Sequence, residues 1–411
     1  MKYLWLLVGL AFVACQSPSD GISVTFDEDR LPDGWQRRPM PTESSTDLSL
    51  MPTLPPPEDA ATVQQARLES PAFSVTPFQY YRVEMAVQAQ EKTLWAMTFY
   101  DQNDSMLLAD FYSSFDPTAE LQKQVFYVQA KADAARAEFW LQPGADQTAY
   151  LRQVRITPAQ GPEEILRWQD SIYRSVPPLR YNPPADRWQH LPRTMRALRE
   201  GQPVRVVMLG NSIINDTGNA GWELPVEAQY PGADLKVITS VRGGTGCTYY
   251  QHHDRVDTFV VQYQPDLLMI GGISNLNDTA AVRSVIRQVR QRMDSGLDGP
   301  GLDGPGPDES APEIMVLSGP LGRDGDPRTN PDFTVVPQGD DFRLQLAQMC
   351  AEAGVEYFDM KSAWGEYLTQ SNASYDYYLR DPTHANARGR QVLARMLAAY
   401  FAPKAEPSAM N

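Results

Sequence analysis

The chain has 411 residues, with 51 acidic against 36 basic, a formal charge of -15, and a hydrophobic fraction of 42%. That length exceeds what one hydrophobic core usually serves, so about two domains with extensions are expected. No cluster of Lys and Arg stands out, which argues against nucleic acid as a partner, because phosphate binding relies on concentrated positive charge.

Residues 1–21 read as an export signal and tether. Met1-Lys2-Tyr3 and then Leu4 to Ala14 form a short basic start and an apolar run too short to span a bilayer comfortably. The run ends at Phe12-Val13-Ala14-Cys15, followed at once by polar Gln16-Ser17-Pro18-Ser19-Asp20. This junction resembles the lipobox of a bacterial lipoprotein, with Phe12 where Leu is more usual. The resemblance implies cleavage before Cys15, its lipidation, and attachment to the bacterial cell envelope by a lipid anchor, facing the periplasm or the cell surface. An ordinary secretory signal with an incidental cysteine is the alternative. No other apolar stretch is long enough for a transmembrane helix. Cys247 and Cys350 remain, and an exported compartment permits them to pair, although two free buried thiols fit the spacing equally. No Cys/His cluster with zinc-ligand spacing exists among four histidines.

Residues 22–157 carry short alternating or aromatic runs: Tyr80 to Val87, Leu94 to Tyr100, Gln124 to Val128 and Ala137 to Leu141. Turn-rich pieces such as Asp101-Gln102-Asn103-Asp104 separate them, and strands without intervening helices favour an all-β sandwich. The region resembles the galactose-binding-like jelly rolls that often accompany carbohydrate-active enzymes. Its aromatics, among them Trp95, Phe99 and Trp140, serve either to stack on sugar rings or as core. Residues 158–203 hold Pro177-Pro178 and Pro183-Pro184 between helix-like pieces, Glu163 to Tyr173 and Leu191 to Arg199. They read as a connector packed on the second domain.

Over residues 204–403 apolar strands alternate with longer helical segments, the pattern of a parallel sheet with crossovers. Strands are expected at Val204 to Leu209, Leu235 to Thr239, Leu267 to Ile270, Ile314 to Ser318 and Val355 to Phe358. Helices are expected at Thr279 to Met293, Phe342 to Ala353 and Gly389 to Phe401. Between Asp294 and Pro312, Leu297-Asp298-Gly299-Pro300-Gly301 is nearly repeated by Leu302-Asp303-Gly304-Pro305-Gly306, a flexible surface insertion. Residues 404–411 are a tail.

Gly210-Asn211-Ser212-Ile213 follows the first of these strands, which puts Ser212 at the carboxyl end of a parallel strand, where open α/β sheets place their ligands. Such a serine presents its hydroxyl to the cleft and its N–H to a developing oxyanion, or else serves as a helix cap. Asp381-Pro382-Thr383-His384 lies just before the last amphipathic segment. A carboxylate three residues before an imidazole can accept its Nδ1 proton, leaving Nε2 to take a proton from a serine. The competing reading is that Asp381 caps a helix with Pro382 at its first position.

Together the two pieces resemble the SGNH, or GDSL-type, serine hydrolases over residues 204–402. The resemblance implies an α/β fold, a flavodoxin-like three-layer parallel sheet, preceded here by the all-β jelly-roll sandwich domain. The family's first block is normally Gly-Asp-Ser, and here it is Gly210-Asn211-Ser212. Its second supplies a glycine N–H to the oxyanion hole and resembles Arg242-Gly243-Gly244-Thr245-Gly246, with Gly246 as donor and Gly244 as fallback. The third, normally Gly-x-Asn-Asp, resembles Gly271-Gly272-Ile273-Ser274-Asn275-Leu276-Asn277-Asp278, shifted by one residue, with Asn275 as donor and Asn277 as alternative. The last, Asp-x-x-His, is matched by Asp381 and His384.

The resemblance implies that Ser212 is the nucleophile, His384 its base and Asp381 the group that orients it, with Ser212, Gly246 and Asn275 forming the oxyanion hole. No metal or organic cofactor is called for. The companion β module and the export signal point to an acylated polysaccharide or oligosaccharide as substrate, losing acetyl or other small acyl groups. Lipase-like or thioesterase activity on longer acyl esters, and an inactive glycan-binding lipoprotein, are the alternatives. His252 and His253 are expected as exposed loop histidines, the alternative being that they line the cleft; nothing suggests chemistry at His190; and Arg323 and Arg328 read as solvated loop charges, the alternative being that one of them holds an anionic sugar.

Overall fold

The computed structural model describes residues 21–26, 31–39, 60–144, 147–272, 277–294, 311–320, 322 and 325–404. The segment read as an export signal, with Cys15, the repeated Leu-Asp-Gly-Pro-Gly segment, Asn275, Arg323 and the tail from 405 lie outside the described residues. Among the described residues no helix is long and apolar enough to cross a membrane.

The amino-terminal part is built from β1 (Ile22–Thr25), β2 (Gln36–Pro39), β3 (Ala61–Gln64), β4 (Ala66–Glu69), β5 (Phe73–Ser74), β6 (Tyr80–Ala89), β7 (Thr93–Tyr100), β8 (Phe111–Phe115), β9 (Thr118–Gln129), β10 (Arg136–Gln142) and β11 (Thr148–Pro158). They form two antiparallel sheets, one ordered β1-β11-β6-β9 with β3 on β11, the other β2-β4-β10-β7-β8 with β5 on β10. In β6, Tyr81, Val83, Met85 and Val87 are buried while the residues between them are only partly covered, the alternation of a sheet with one face inward. Those side chains meet Trp95, Met97, Phe99, Phe139 and Leu141 of the other sheet in one core. Trp95 and Phe99 are fully buried and Trp140 is 8% exposed, so of the two readings of these aromatics the core is the one their burial fits.

Helix α1 (Pro162–Tyr173) and helix α2 (Pro192–Arg199) both begin on a proline, whose fixed φ suits a first helical position. The expectation that this connector packs on the second domain is incomplete. Trp168 Nε1 in α1 donates to the Val125 carbonyl of β9 (2.8 Å), while Gln169 Nε2 donates to the Gly221 carbonyl (2.9 Å), so α1 grips both parts of the chain.

Five parallel strands follow: β12 (Pro203–Gly210), β13 (Asp234–Val241), β14 (Leu267–Ile270), β15 (Glu313–Leu317) and β16 (Glu356–Phe358), in the order β13-β12-β14-β15-β16. Between and after them lie α3 (Ser212–Gly218), α4 (Glu223–Glu227), α5 (Cys247–Tyr250), α6 (Arg255–Phe259), α7 (Thr279–Asp294), α8 (Phe342–Ala353), α9 (Met360–Gln370) and α10 (Ala387–Phe401). Both sheet faces are covered, which is why the strands read as continuous apolar runs. Val206 and Met208 join Ile214, Trp364, Leu393 and Leu397 on one side, and Val207 and Leu209 join Val256, Val285 and Leu346 on the other.

Strand β16 starts one residue later than its apolar run, because the Val355 N–H donates to the Cys350 carbonyl and closes α8 (3.0 Å). Cys247 and Cys350 are both buried and are not joined in a disulfide, and burial pushes each thiol up to about 12.

Candidate active site

The carboxyl end of β12 runs into a tight crossing. A Cβ on Gly210 would sit 2.3 Å from the Gly271 carbonyl oxygen, and one on Gly272 would sit 2.4 Å from Asn211 Oδ1, where φ is +105° besides. Glycine is therefore required where β12 and β14 empty into the same edge. Asn211 is the cap of α3: its Oδ1 accepts from the Ile213 N–H at 3.0 Å. Ser212, read also as a possible cap, is instead the first helical residue, and its hydroxyl is free of capping duty.

That hydroxyl lies 2.8 Å from His384 Nε2. His384 Nδ1 is 2.9 Å from both carboxylate oxygens of Asp381. An ionised carboxylate only accepts, so the Nδ1 proton faces Asp381 and Nε2 presents its lone pair to Ser212. Asp381 Oδ1 also accepts from the Thr383 N–H (2.9 Å) and the His384 N–H (3.0 Å). Burial pushes this carboxyl up, but the His384 bond, the Thr383 N–H and the Arg380 charge outweigh it and bring it down to about 2. The reading of Asp381 as a helix cap with Pro382 at the first position is corrected: α10 starts at Ala387, and its cap is Asn386, whose side chain accepts from the Gly389 N–H at 3.1 Å. Asp381 folds its own turn around His384 instead.

The glycine-rich loop after β13 is fastened to the same strand end. Tyr250 Oη donates to the Gly210 carbonyl (2.6 Å) and accepts from the Arg242 N–H (2.9 Å), while Arg242 N also reaches the Gly210 carbonyl at 3.2 Å. Burial pushes the Tyr250 hydroxyl up to about 12, so it remains a donor. Gly246 is buried and precedes α5, whereas Gly244 is exposed in the left-handed region, with φ +67°. Asn277 is exposed with φ +56°, and the neighbouring Asp278 accepts from the Ala281 N–H at the start of α7 (2.9 Å).

Several residues around this centre escape sequence reasoning. Asp216, in α3, is 1% exposed and holds Arg380 Nη1 at 2.6 Å and the Ala385 N–H at 2.9 Å. From the sandwich, the Asp110 carbonyl accepts from Asn215 Nδ2 (2.7 Å), Lys92 Nζ donates to the Leu379 carbonyl (2.8 Å), Asp116 pairs with Arg388 (2.7 Å), and the Tyr112 carbonyl accepts from Arg390. Each bond spans more than 90 residues, and the only sequence signal is that Arg380 directly precedes Asp381. His252 and His253 are exposed, and His190 offers its backbone N–H to Glu356 Oε2 at 3.1 Å. Arg328 is exposed, and it is paired as well: Asp326 holds its Nε (2.8 Å) and Nη2 (2.9 Å), and its Nη1 donates to the carbonyls of Ser371 and Ala373.

The sequence matches no family profile and no curated protein. Among solved structures, a two-domain esterase active on acetylated mannans is 15% identical with a TM-score of 0.38, over 52% of this chain and 52% of that one. An acetylxylan esterase from Geobacillus stearothermophilus, as a catalytic mutant, is 16% identical with a TM-score of 0.37, over 49% of this chain and 95% of that one. The chain thus spans about half the length of the mannan esterase it resembles.

Proposed function

We propose that the chain is an exported serine esterase of the SGNH type, with a flavodoxin-like catalytic domain behind a jelly-roll module, that removes acetyl or other small acyl groups from a polysaccharide. The observation that carries the reading is the hydrogen-bonded series Asp381, His384, Ser212, with steps of 2.9 and 2.8 Å at the carboxyl edge of the parallel sheet.

In this reading His384 Nε2 takes the Ser212 proton as Oγ attacks the ester carbonyl, and the Asp381 carboxylate stabilises the imidazolium that forms. The oxyanion is met by the N–H groups of Ser212 and Gly246 and by the Asn275 amide. The imidazolium then protonates the departing sugar oxygen, which leaves as the free hydroxyl. Water, deprotonated by the same imidazole, cleaves the acyl-enzyme to carboxylic acid and free serine. Asn211 in place of the family's aspartate is compatible with this, since the two residues cap a helix about equally well. The carbohydrate substrate is favoured by the companion β module and the export signal, as is residence in the bacterial cell envelope on a lipid carried by Cys15.

The test compares hydrolysis of acetylated xylan and acetylated mannan with that of fatty-acyl esters of increasing length. Acetyl release from the polysaccharides with little turnover beyond short chains is expected, and a preference for long chains would sink the carbohydrate reading. Ser212→Ala should abolish ester cleavage without loss of fold; unchanged turnover would refute the nucleophile assignment.

A further inference from the structure

Asp381 and His384 share one turn and keep each other in place locally, but nothing within that turn fixes its distance from Ser212, which belongs to another element 169 residues earlier than Asp381. The link between the two is Asp216, four residues or about one helical turn beyond Ser212. Its Oδ1 accepts from Arg380 Nη1 (2.6 Å) and its Oδ2 from the Ala385 N–H (2.9 Å). Arg380 and Ala385 bracket the Asp381–His384 turn on both sides. Arg380 closes the bracket by donating Nη1 to the Ala385 carbonyl (2.8 Å) and its backbone N–H to the His384 carbonyl (2.9 Å).

We propose that Asp216 is a positioning residue: with Arg380 it clamps the Asp381–His384 turn onto the helix that carries Ser212, and so sets the Ser212–His384 contact. The consequence for rate rests on the reading of Ser212 and His384 as nucleophile and base. The clamp is stiff because it is dry. The side chains of Asp216 and Arg380 are 2% and 6% exposed, and a carboxylate bonded on both oxygens to fixed donors has no alternative position of similar energy. The sandwich adds a backing, since Asn215 beside Asp216 holds the Asp110 carbonyl and Arg390, 3.6 Å from Asp216 Oδ1, holds the Tyr112 carbonyl. A displacement of about 1 Å between reacting groups costs about 10²-fold in rate.

The experiment uses the full chain. Asp216→Asn alone leaves Arg380 buried without its counter-charge and can fail to fold. The double variant Asp216→Asn with Arg380→Met removes both charges at nearly the same volume and leaves Arg390 an amide oxygen in place of Asp216 Oδ1, and Arg380→Lys retains a cation at the clamp. With p-nitrophenyl acetate, the double variant is expected to lose about 10²-fold in kcat with KM within about threefold, and Arg380→Lys to recover part of it. A folded double variant with kcat within threefold of the parent would overturn the proposal. A readout independent of turnover follows the His384 imidazole resonance by NMR with and without Ser212→Ala. In the parent background the serine substitution should move that resonance, and in the double variant it should not. Persistence of the coupling there overturns the clamp, and its loss supports it even in a protein that cleaves no ester. Absence of Ser212-dependent turnover in the parent would instead count against the esterase reading.

Discussion

Replacing Asp381 by Asn tests the orientation of His384 more sharply than deleting the side chain would. Two backbone N–H groups, of Thr383 and His384, hold Asp381 Oδ1 at 2.9 and 3.0 Å and require an acceptor there. The amide oxygen of an asparagine will take that place, which puts its NH2 where Oδ2 stands, 2.9 Å from His384 Nδ1. An amide N–H facing Nδ1 demands the lone pair, so the ring proton moves to Nε2 and points at Ser212 Oγ, 2.8 Å away. The turn is kept and the base is lost. In a serine protease triad the same change lowers kcat by about 10⁴. Here Oδ1 also lies 2.9 Å from Nδ1, so the competent tautomer keeps an acceptor, and about 10³ to 10⁴ is expected. That corresponds to about 4 to 5.5 kcal/mol of barrier. Initial rates on p-nitrophenyl acetate should show the loss in kcat with KM nearly unchanged. Above pH 4 the melting temperature should fall somewhat below the parent's, because the Asp381 carboxyl, lowered to about 2, is stabilised as the charged form and the amide keeps only the acceptor for the two N–H groups. In the parent that contribution is present above the ordinary carboxylate range and is lost as pH falls through about 2. A folded Asp381→Asn protein with kcat within tenfold of the parent would refute the reasoning.

Two further outcomes concern the frame. The Glu223 carboxyl is buried; it accepts from the Tyr80 hydroxyl on Oε1 and has no partner on Oε2, and its burial pushes it up to about 7. A raised carboxyl contributes stability that is complete below its unfolded range, near 4.5, and is lost as pH rises through about 7. Glu223→Gln keeps the acceptor for Tyr80 without the charge, so above pH 7 its melting temperature should exceed the parent's by about 2 °C or more, with the difference vanishing near pH 4. A constant difference across that range would reject the account. Lys131, lowered to about 7 mainly by burial and held up in part by the Glu223 charge, acts in the opposite sense, so the comparison is repeated in a Lys131→Met background, where that coupling is absent from both proteins. Trp95→Ala removes a fully buried ring that packs 4.7 Å from Phe126 and 5.2 Å from Phe111, and should cost about 3 to 5 kcal/mol in urea unfolding. A cost below about 1 kcal/mol would show that the ring is not core.

What the sequence discloses here follows from how local each determinant is. Phe342–Ala353 can be read residue for residue because Asp341 caps it and Gly354 ends it, in the left-handed conformation, within the chain's own neighbourhood. The strand at Leu267–Ile270 is legible because both its faces are buried and its run of four apolar residues has no other use. The Asp381–His384 turn is legible for the same reason, since its spacing and its hydrogen bonds coincide. Alternation in β6 discloses a strand with an inner face, but whether Trp95 lies inward or meets a sugar depends on the opposite sheet, which no window around Trp95 contains.

The determinants that stay hidden are those whose partner is remote. Asp216 reads as an unremarkable acid in a short helix until the chain returns with Arg380, 164 residues later. The same applies to the sandwich. Asp110 and Tyr112 contribute backbone carbonyls, which any residue type supplies, so no side-chain pattern marks them. This bears on the role of the amino-terminal sheets. A module that only recruited a glycan would need no bonds to the helix bearing Ser212 or to the loop bearing His384. Yet Lys92 reaches the Leu379 carbonyl, Asp116 pairs with Arg388, and the Asp110 carbonyl holds Asn215. The sandwich is therefore part of the wall against which the Ser212 and His384 elements are set, and removing it would expose Asp216, Arg380 and Arg390, charges whose pairing depends on staying dry.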